Sequence, residues 1–380
     1  MIIQSLIDPN DHKLRTPRHS RLLYVVGQLG LGGLERQLYY LLANLNHARY
    51  QPAVVVWNLD TNDRYYRAIK ELKVPIYGFP AGQSPLSKLI ALRALARQVA
   101  PEVIHSYTYY TNIAAWWAAR GIEAIPIGSV RNNFTLDRQD AGIVLGRLCG
   151  RWPPGQIYNS FNAEQEAKRS TSMIFRPRRR YVVTNGVDLD FFSPQSHPER
   201  GYILAVGNMY ARKRWDRLIR AVALLASKGL CPEVVHVGAG PLREELEAMA
   251  GNLGVGHLFR FFGARHDIPD LLANAVFLAH TAENEGCPNV VMEAMACGRA
   301  VVAIDAGDVS HLIDDGKTGF VVPKEDEAAL ADRIASLLRN VQLCRRMGDA
   351  GRIKAEQAFG LDRLRIETFA AYQAEGWEDR

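Results

Sequence analysis

Cysteine is scarce in this 380-residue chain: five residues, Cys149, Cys231, Cys287, Cys297 and Cys344, an odd number with no CxxC or other zinc-ligand spacing. That excludes a disulfide scaffold and a zinc module, and it predicts reduced thiols in a cytosolic protein. No apolar run reaches the ~18 to 20 residues that span a bilayer. Residues 1–20 are polar and carry no hydrophobic signal core, which argues against secretion by a cleaved peptide. No internal repeat of about 20 to 50 residues appears, so solenoids and propellers are excluded. Nor is there a recognisable nucleic-acid module. What is present is a hydrophobic content of 48% with 23% charged residues, enough to bury a sizeable core and exclude disorder. At roughly 150 residues per domain, the length predicts two domains.

The net charge of +6 is unevenly spread. Residues 1–192 carry 24 Lys and Arg against 14 Asp and Glu, whereas residues 193–380 carry 22 against 26. A basic half next to an acidic one predicts different partners: an anionic acceptor or a membrane surface for the first, and no nucleic acid.

Along the chain, short β-branched runs alternate with amphipathic stretches of helix length. Residues 22–26, 53–57, 103–105 and 125–130 read as buried parallel strands, and 34–45, 65–72 and 86–99 as helices. The pattern restarts with strands at 202–206, 234–237, 259–262, 276–278 and 300–304. Helices at 214–228, 242–253, 268–274, 290–297 and 327–339 lie between and after them. This alternation predicts two doubly wound, Rossmann-like α/β domains facing across a cleft. The turn-rich, proline-bearing stretch 193–198 marks the boundary. The domains are therefore 1–192 and 193–360, with a helix at 361–380 that the second sheet does not need and that returns to the first domain.

Three segments carry chemistry. Gly27, Gly30, Gly32 and Gly33, followed by Glu35, lie between the first strand and the first helix. There the backbone can approach an anion at a helix N-terminus. The spacing breaks the G-x-G-x-x-G dinucleotide fingerprint, and no acidic residue sits suitably after the second strand, so a dehydrogenase is a distant alternative. In the second half, Gly207 and Asn208 end a strand, and Arg212, Lys213 and Arg214 crowd the start of the next helix. Cations there oppose the helix dipole unless an anion such as a diphosphate sits between. Lys213 is the candidate phosphate contact. The third segment runs from Glu285 through Gly286, Cys287, Pro288, Asn289 and Val290 to Glu293 and on to Gly298. Pro288 near the first helical position and Gly298 past the last frame a short apolar helix. Glu293 in that helix can clamp a ribose diol, the N–H groups near Asn289 and Val290 can hold phosphate, and Glu285 can reach the group beyond.

Taken in order, these residues resemble the glycogen-synthase-like retaining GT-B glycosyltransferases (family 4, group 1), over residues 20–370. The matching set also includes Val103-Ile104-His105, Asn159-Ser160, Asn185-Gly186-Val187-Asp188, Gly238-Ala239-Gly240-Pro241-Leu242 and Asp315-Gly316 with Thr318-Gly319. The resemblance implies sugar transfer from a nucleotide-sugar donor, UDP- or GDP-linked, to a sugar, polysaccharide or lipid-linked acceptor, with retention at the anomeric carbon. It implies no cofactor and no divalent metal, since cationic side chains and helix dipoles stabilise the leaving group. No carboxylate pair suited to Mg²⁺ is evident either. By resemblance Glu293 holds the ribose, Glu285 contacts the transferred sugar, Lys213 neutralises the departing diphosphate, and the Gly32-Gly33 loop closes over it. Base contacts fall around Gly263, Ala264 and Arg265.

The chain departs from the family at Asn208, where a basic residue is usual. It also departs at Arg131, which replaces a histidine that would lie near the donor sugar. Arg131 and His105 join Glu285 and Lys213 as candidate catalytic residues. The expected setting is cell-surface polysaccharide or glycolipid assembly, in the cytoplasm or at the inner membrane face. The membrane would be met through Lys88, Arg93 and Arg97 or through the basic run 176–180. The alternatives are a nucleotide-sugar epimerase or hydrolase of the same architecture and a non-catalytic sugar-nucleotide-binding protein.

Overall fold

The computed structural model describes residues 21–80, 82–169, 176–198 and 200–379. Residues 1–20, on which the expectation about secretion rests, lie outside them. The chain divides into two compact units, one formed by the residues before Val187 together with those from Leu361 on, the other by Val187–Gly360.

The first unit is built on seven parallel strands: β1 (Leu22–Val26), β2 (Pro52–Val56), β3 (Ile76–Gly78), β4 (Val103–Ser106), β5 (Ile125–Val130), β6 (Gly155–Tyr158) and β7 (Arg179–Val182). They lie in the order β3-β2-β1-β4-β5-β6-β7. β1 and β2 are buried at every residue, because helices cover both sheet faces. Leu38, Leu41 and Leu42 of the helix Gly33–Ala43 pack on one side, and Leu92, Leu95 and Ala96 of the helix Pro85–Val99 on the other.

The closing helix Leu361–Ala374 belongs to this unit. It buries Leu364, Phe369 and Tyr372 in the same core as β1, and Trp377 follows them there. Arg363 donates to the carbonyls of Thr184 (3.0 Å) and Asn185 (2.6 Å), and the Trp377 indole to Glu102 (2.7 Å).

The second unit holds six parallel strands: β8 (Tyr202–Val206), β9 (Val234–Val237), β10 (Phe259–Phe261), β11 (Ala275–His280), β12 (Ala300–Ile304) and β13 (Gly319–Val322), ordered β10-β9-β8-β11-β12-β13. In both sheets the order of strand addition reverses beside the first strand, between β1 and β4 and between β8 and β11. At such a switch point the following loops diverge, and ligands settle at the carboxyl ends of the strands.

The structure differs from the sequence reading in three ways. The strands β3, β6, β7 and β13 went unmarked; β7 is an arginine-bearing edge strand whose Arg179 and Arg180 pair with Glu375 and Glu164. The helices Asn112–Ala119, Phe134–Asp140, Ile143–Arg151, Phe161–Arg169 and Val341–Ala358 also went unmarked. Finally, the division falls at Gly186 and Val187 rather than after Phe192. Residues 193–198 resemble a linker in composition, but the buried guanidinium of Arg299 holds the carbonyls of Gln195 (3.1 Å) and Ser196 (2.8 Å) within the second unit.

Candidate active site

In the second unit the loops after β8 and β11 flank the switch point. Gly207 (φ +155°) and Gly238 (φ +147°) allow the chain leaving β8 to lie directly on the chain leaving β9; a Cβ on Gly238 would run into the Gly207 carbonyl. Gly207 N–H donates to Val237 (2.8 Å), Met209 N–H to Ala239 (2.9 Å), and the Trp215 indole to the Asn208 carbonyl (3.1 Å). This backbone frame carries the short turn Ala211–Lys213. Two bonds then stitch that turn to the loop after β11: Glu283 N–H to the Arg212 carbonyl (2.9 Å) and the Thr281 hydroxyl to the Lys213 carbonyl (3.0 Å).

The stitching sorts the three basic residues by role. Arg214, at the N-cap of the helix Trp215–Ser227, is engaged by Asp216 and Glu283, both at 3.1 Å. Arg212 and Asn208 are exposed. The Lys213 ammonium forms an ion pair with the Glu285 carboxylate, and the two side chains are only 17% and 15% exposed. Residues far apart in sequence thus meet at the carboxyl edge of the sheet. Burial works to raise the Glu285 carboxyl, but the charge of Lys213, with that of Arg212, outweighs it and holds the group below its usual range.

Three residues separate Glu285 from the helix Asn289–Ala296, which has Pro288 at its N-cap, one residue before the first helical position. Gly286 and Cys287 are buried, Asn289 and Val290 half-buried, and Glu293 is 3% exposed. Glu293 is therefore no surface charge. The first-turn N–H groups of this helix point out of its N-terminal end, where the dipole favours an anion. Gly307 (φ +58°) lets the loop after β12 touch the Glu285–Gly286 backbone, since a Cβ there would meet both carbonyls. Asp308 N–H completes the contact by donating to Gly286 (2.9 Å). Arg265, the expected base contact, is surface-exposed and paired with Asp267 (2.5 Å).

In the first unit, Gly32 caps the helix Gly33–Ala43, and a side chain there would collide with the Glu35 carboxylate. Gly33 is the first helical residue. Burial pushes Glu35 up to about 6, with Asp63 adding to the shift. His105 is 1% exposed on β4, and both ring nitrogens are engaged, Nδ1 with the Tyr372 hydroxyl (2.7 Å) and Nε2 with the Ser129 hydroxyl (2.8 Å). Burial, aided by Arg131, holds it well below the ordinary histidine range. This geometry gives His105 a bracing place between β4, β5 and the closing helix. Arg131 follows β5 directly, 8% exposed, with its guanidinium 4.0 Å above the Tyr107 ring.

The charges named for membrane docking are largely engaged within the fold. Lys88 is buried and donates to the Trp57 carbonyl (2.6 Å) and to Asn58 (2.8 Å), and Arg93 stacks on Trp117 (4.7 Å). Arg97 is exposed. Among the described residues no helix is long and apolar enough to cross a membrane.

Sequence reasoning missed His280 and Thr281, which close β11 beside Lys213 and Glu285. The available signal was a polar pair directly after an apolar strand. His280 is 1% exposed, and burial lowers it to about 4; His236, on β9, is lowered by burial to about 3. Both are neutral in the folded state and bind protons below about 6.5 once unfolded. Their stabilisation is therefore fully present above pH 6.5 and is lost as the pH falls toward 4. We expect unfolding free energy to drop by about 2 kcal/mol per histidine between pH 7 and 5. Chemical denaturation at the two pH values checks this, and His236→Asn should remove about half of the difference.

Comparison with known proteins agrees with this geometry. Residues 187–354 match the family Glycosyl transferases group 1, and residues 31–191 match Glycosyltransferase Family 4. A D-inositol 3-phosphate glycosyltransferase of Salinispora arenicola is 32% identical, over 77% of this chain and 72% of the relative. A GDP-mannose-dependent α-(1-6)-phosphatidylinositol monomannoside mannosyltransferase of Mycolicibacterium smegmatis is 32% identical over 44% of this chain and 49% of that enzyme. Among solved structures, the Anabaena protein HepE in complex with UDP superposes with a TM-score of 0.78 at 19% identity. That superposition covers 93% of this chain and all of HepE, a likeness of fold.

Proposed function

We propose a reaction for this chain, which belongs to the group 1 glycosyl transferases: a sugar passes from a UDP- or GDP-linked donor held by the second unit to a sugar, polysaccharide or lipid-linked acceptor. The anomeric configuration is retained and no divalent metal takes part. The observation that carries this reading is the Lys213–Glu285 pair, held at the carboxyl edge of the second sheet beside the start of the helix Asn289–Ala296. In the resting protein each charge neutralises the other. A donor diphosphate seated at the helix start competes for Lys213 and frees Glu285 to accept a hydrogen bond from the transferred sugar.

As the bond from the anomeric carbon to the diphosphate breaks, negative charge grows on the leaving oxygen. Lys213 and the first-turn N–H groups of the helix are placed to stabilise it, the work a metal performs elsewhere. The acceptor hydroxyl attacks from the face the diphosphate leaves, through an oxocarbenium-like state, and its proton passes to the departing phosphate oxygen. Glu293, buried in the same helix, is the ribose clamp. Gly286, Cys287 and Pro288 shape the floor, while Arg212, Asn208 and Arg265 lie at the exposed rim. The M. smegmatis relative is named for a lipid-linked acceptor and the S. arenicola relative for a phosphorylated cyclitol. The first of those names supports a place in glycolipid assembly, one of the two settings proposed with cell-surface polysaccharide.

The test is release of nucleoside diphosphate from UDP-glucose and GDP-mannose, with and without a panel of sugar phosphates and polyprenyl-linked sugars. Release that depends on an acceptor, with an α-linked product by proton NMR, is the expected result. Equal release without acceptor would make the protein a nucleotide-sugar hydrolase instead.

A further inference from the structure

Two arginines among the described residues, Arg131 and Arg217, have guanidinium groups buried without a partner; Arg217 lies within the helix Trp215–Ser227, whereas Arg131 lies at the carboxyl end of a strand. It follows β5, next to the switch point of the first sheet, and is only 8% exposed. All three guanidinium nitrogens are buried and without a hydrogen-bond partner, and among the described residues the side chain makes no ion pair. Among the described residues its compensating contact is the Tyr107 ring, 4.0 Å away, which offers a weak cation–π attraction. Glu166, the carboxylate that meets the segment just after Arg131, is already held by Asn133 (2.5 Å) and Asn162 (3.1 Å). An arginine cannot shed its proton, so burial without an acceptor leaves an uncompensated charge.

The surroundings are short of acceptors. The Tyr107 hydroxyl is buried and unpartnered, and the neighbouring histidine, His105, is neutral with both nitrogens engaged. Asn159 donates its amide to the Arg131 carbonyl (2.8 Å), which leaves its own side-chain oxygen, also unpartnered, to receive a hydroxyl. A planar fork of N–H donors, with a phenol donor beside it and no carboxylate, is matched to an oxyanion, which a guanidinium binds through two parallel hydrogen bonds. The position, at the carboxyl end of the sheet, is where this architecture takes ligands.

We propose that Arg131 is the centre of an anion subsite in the first unit, and that the acceptor carries a phosphate or carboxylate which pairs with its guanidinium while an adjacent hydroxyl reaches Asn159. This rests on the glycosyl-transfer reading for the identity of the ligand as acceptor; the anion site itself does not.

The experiment is thermal unfolding of the full chain against increasing inorganic phosphate and, separately, acetate, for wild type, Arg131→Gln, Arg131→Lys and Lys213→Ala. Lys213→Ala removes the side-chain phosphate contact of the second unit, so a shift that persists in it and is lost in Arg131→Gln belongs to the first. The expected result is a phosphate-dependent rise in Tm in wild type and Lys213→Ala, absent in Arg131→Gln and reduced in Arg131→Lys. The stronger of the two anions names the acceptor group. With acceptors bearing that group, Arg131→Gln should raise KM tenfold or more and leave nucleoside diphosphate affinity unchanged. Should Arg131→Gln fail to fold, the reduced response of Arg131→Lys carries the test. Equal anion responses in wild type and both Arg131 variants, or no response in wild type, would overturn the subsite. Loss of nucleotide binding alone would overturn the donor reading and leave the subsite standing.

Discussion

Lys213→Ala should weaken nucleoside diphosphate binding about 100-fold and lower kcat by a further 10² to 10³, the range for removing one stabiliser of a leaving oxyanion. The two parts are separable because Lys213 has two partners at different times. In the resting protein it faces Glu285, and both side chains are largely buried. In the proposed reaction the donor diphosphate takes the ammonium. Glu285→Gln removes the resting competitor without adding bulk, so it should bind the diphosphate more tightly than wild type. Its transfer rate should nevertheless fall about 100-fold, because a neutral amide is a weaker acceptor for the sugar hydroxyl. Opposite signs on affinity, with losses of kcat in both, are the signature of this pair. Calorimetry with the diphosphate and steady-state kinetics on the same preparations read it. Parallel losses of affinity in both variants would mean that the pair is only a structural tie between the loops after β8 and β11.

The second large effect is on stability. Arg299→Met is expected to destabilise the second unit by about 4 kcal/mol, because one guanidinium serves four main-chain carbonyls. Those of Leu272 (2.7 Å) and Ala273 (2.8 Å) end the helix Ile268–Ala273, and those of Gln195 and Ser196 fasten the entry to β8. Methionine fills much of the volume and supplies no donor, so the carbonyls are left buried and unpaired. Denaturant melts should show the loss, with a fall in Tm of roughly 10 °C. Arg299→Lys, which can reach fewer of the four, should fall between. An unchanged Tm in Arg299→Met would show that water replaces the guanidinium at little cost.

Arg299 also shows where sequence reasoning stops. Residues 193–198 have the composition of a linker, and nothing nearby in sequence reveals that a side chain some hundred residues later fastens them. The long apolar strands were legible because full burial on both faces demands uninterrupted β-branched runs, as in β1, β2 and β12. β6 and β7 were not, since Gly155, Gln156, Arg179 and Arg180 hide the pattern and their pairing is decided by neighbours in the sheet.

Lys213 and Glu285 were legible as separate residues, each odd in its local setting, but their contact depends on the order β8-β11, which no local pattern encodes. The bonds that align them, from Thr281 and Glu283, were invisible for the same reason. His105 lies one residue before the end of β4, close to where it was expected. Its role depends on Tyr372, whose helix returns to the first unit from the far end of the chain.

The proposed reaction requires the second unit to hold a nucleoside diphosphate without a metal. Titration of the full chain with UDP, GDP and ADP by calorimetry, in EDTA and again in Mg²⁺, tests it most directly. The expected result is that one of the three binds equally well in both, that Lys213→Ala weakens it about 100-fold, and that Glu293→Ala weakens it as well. Failure of all three to bind, binding that requires Mg²⁺, or full affinity in Lys213→Ala would contradict it.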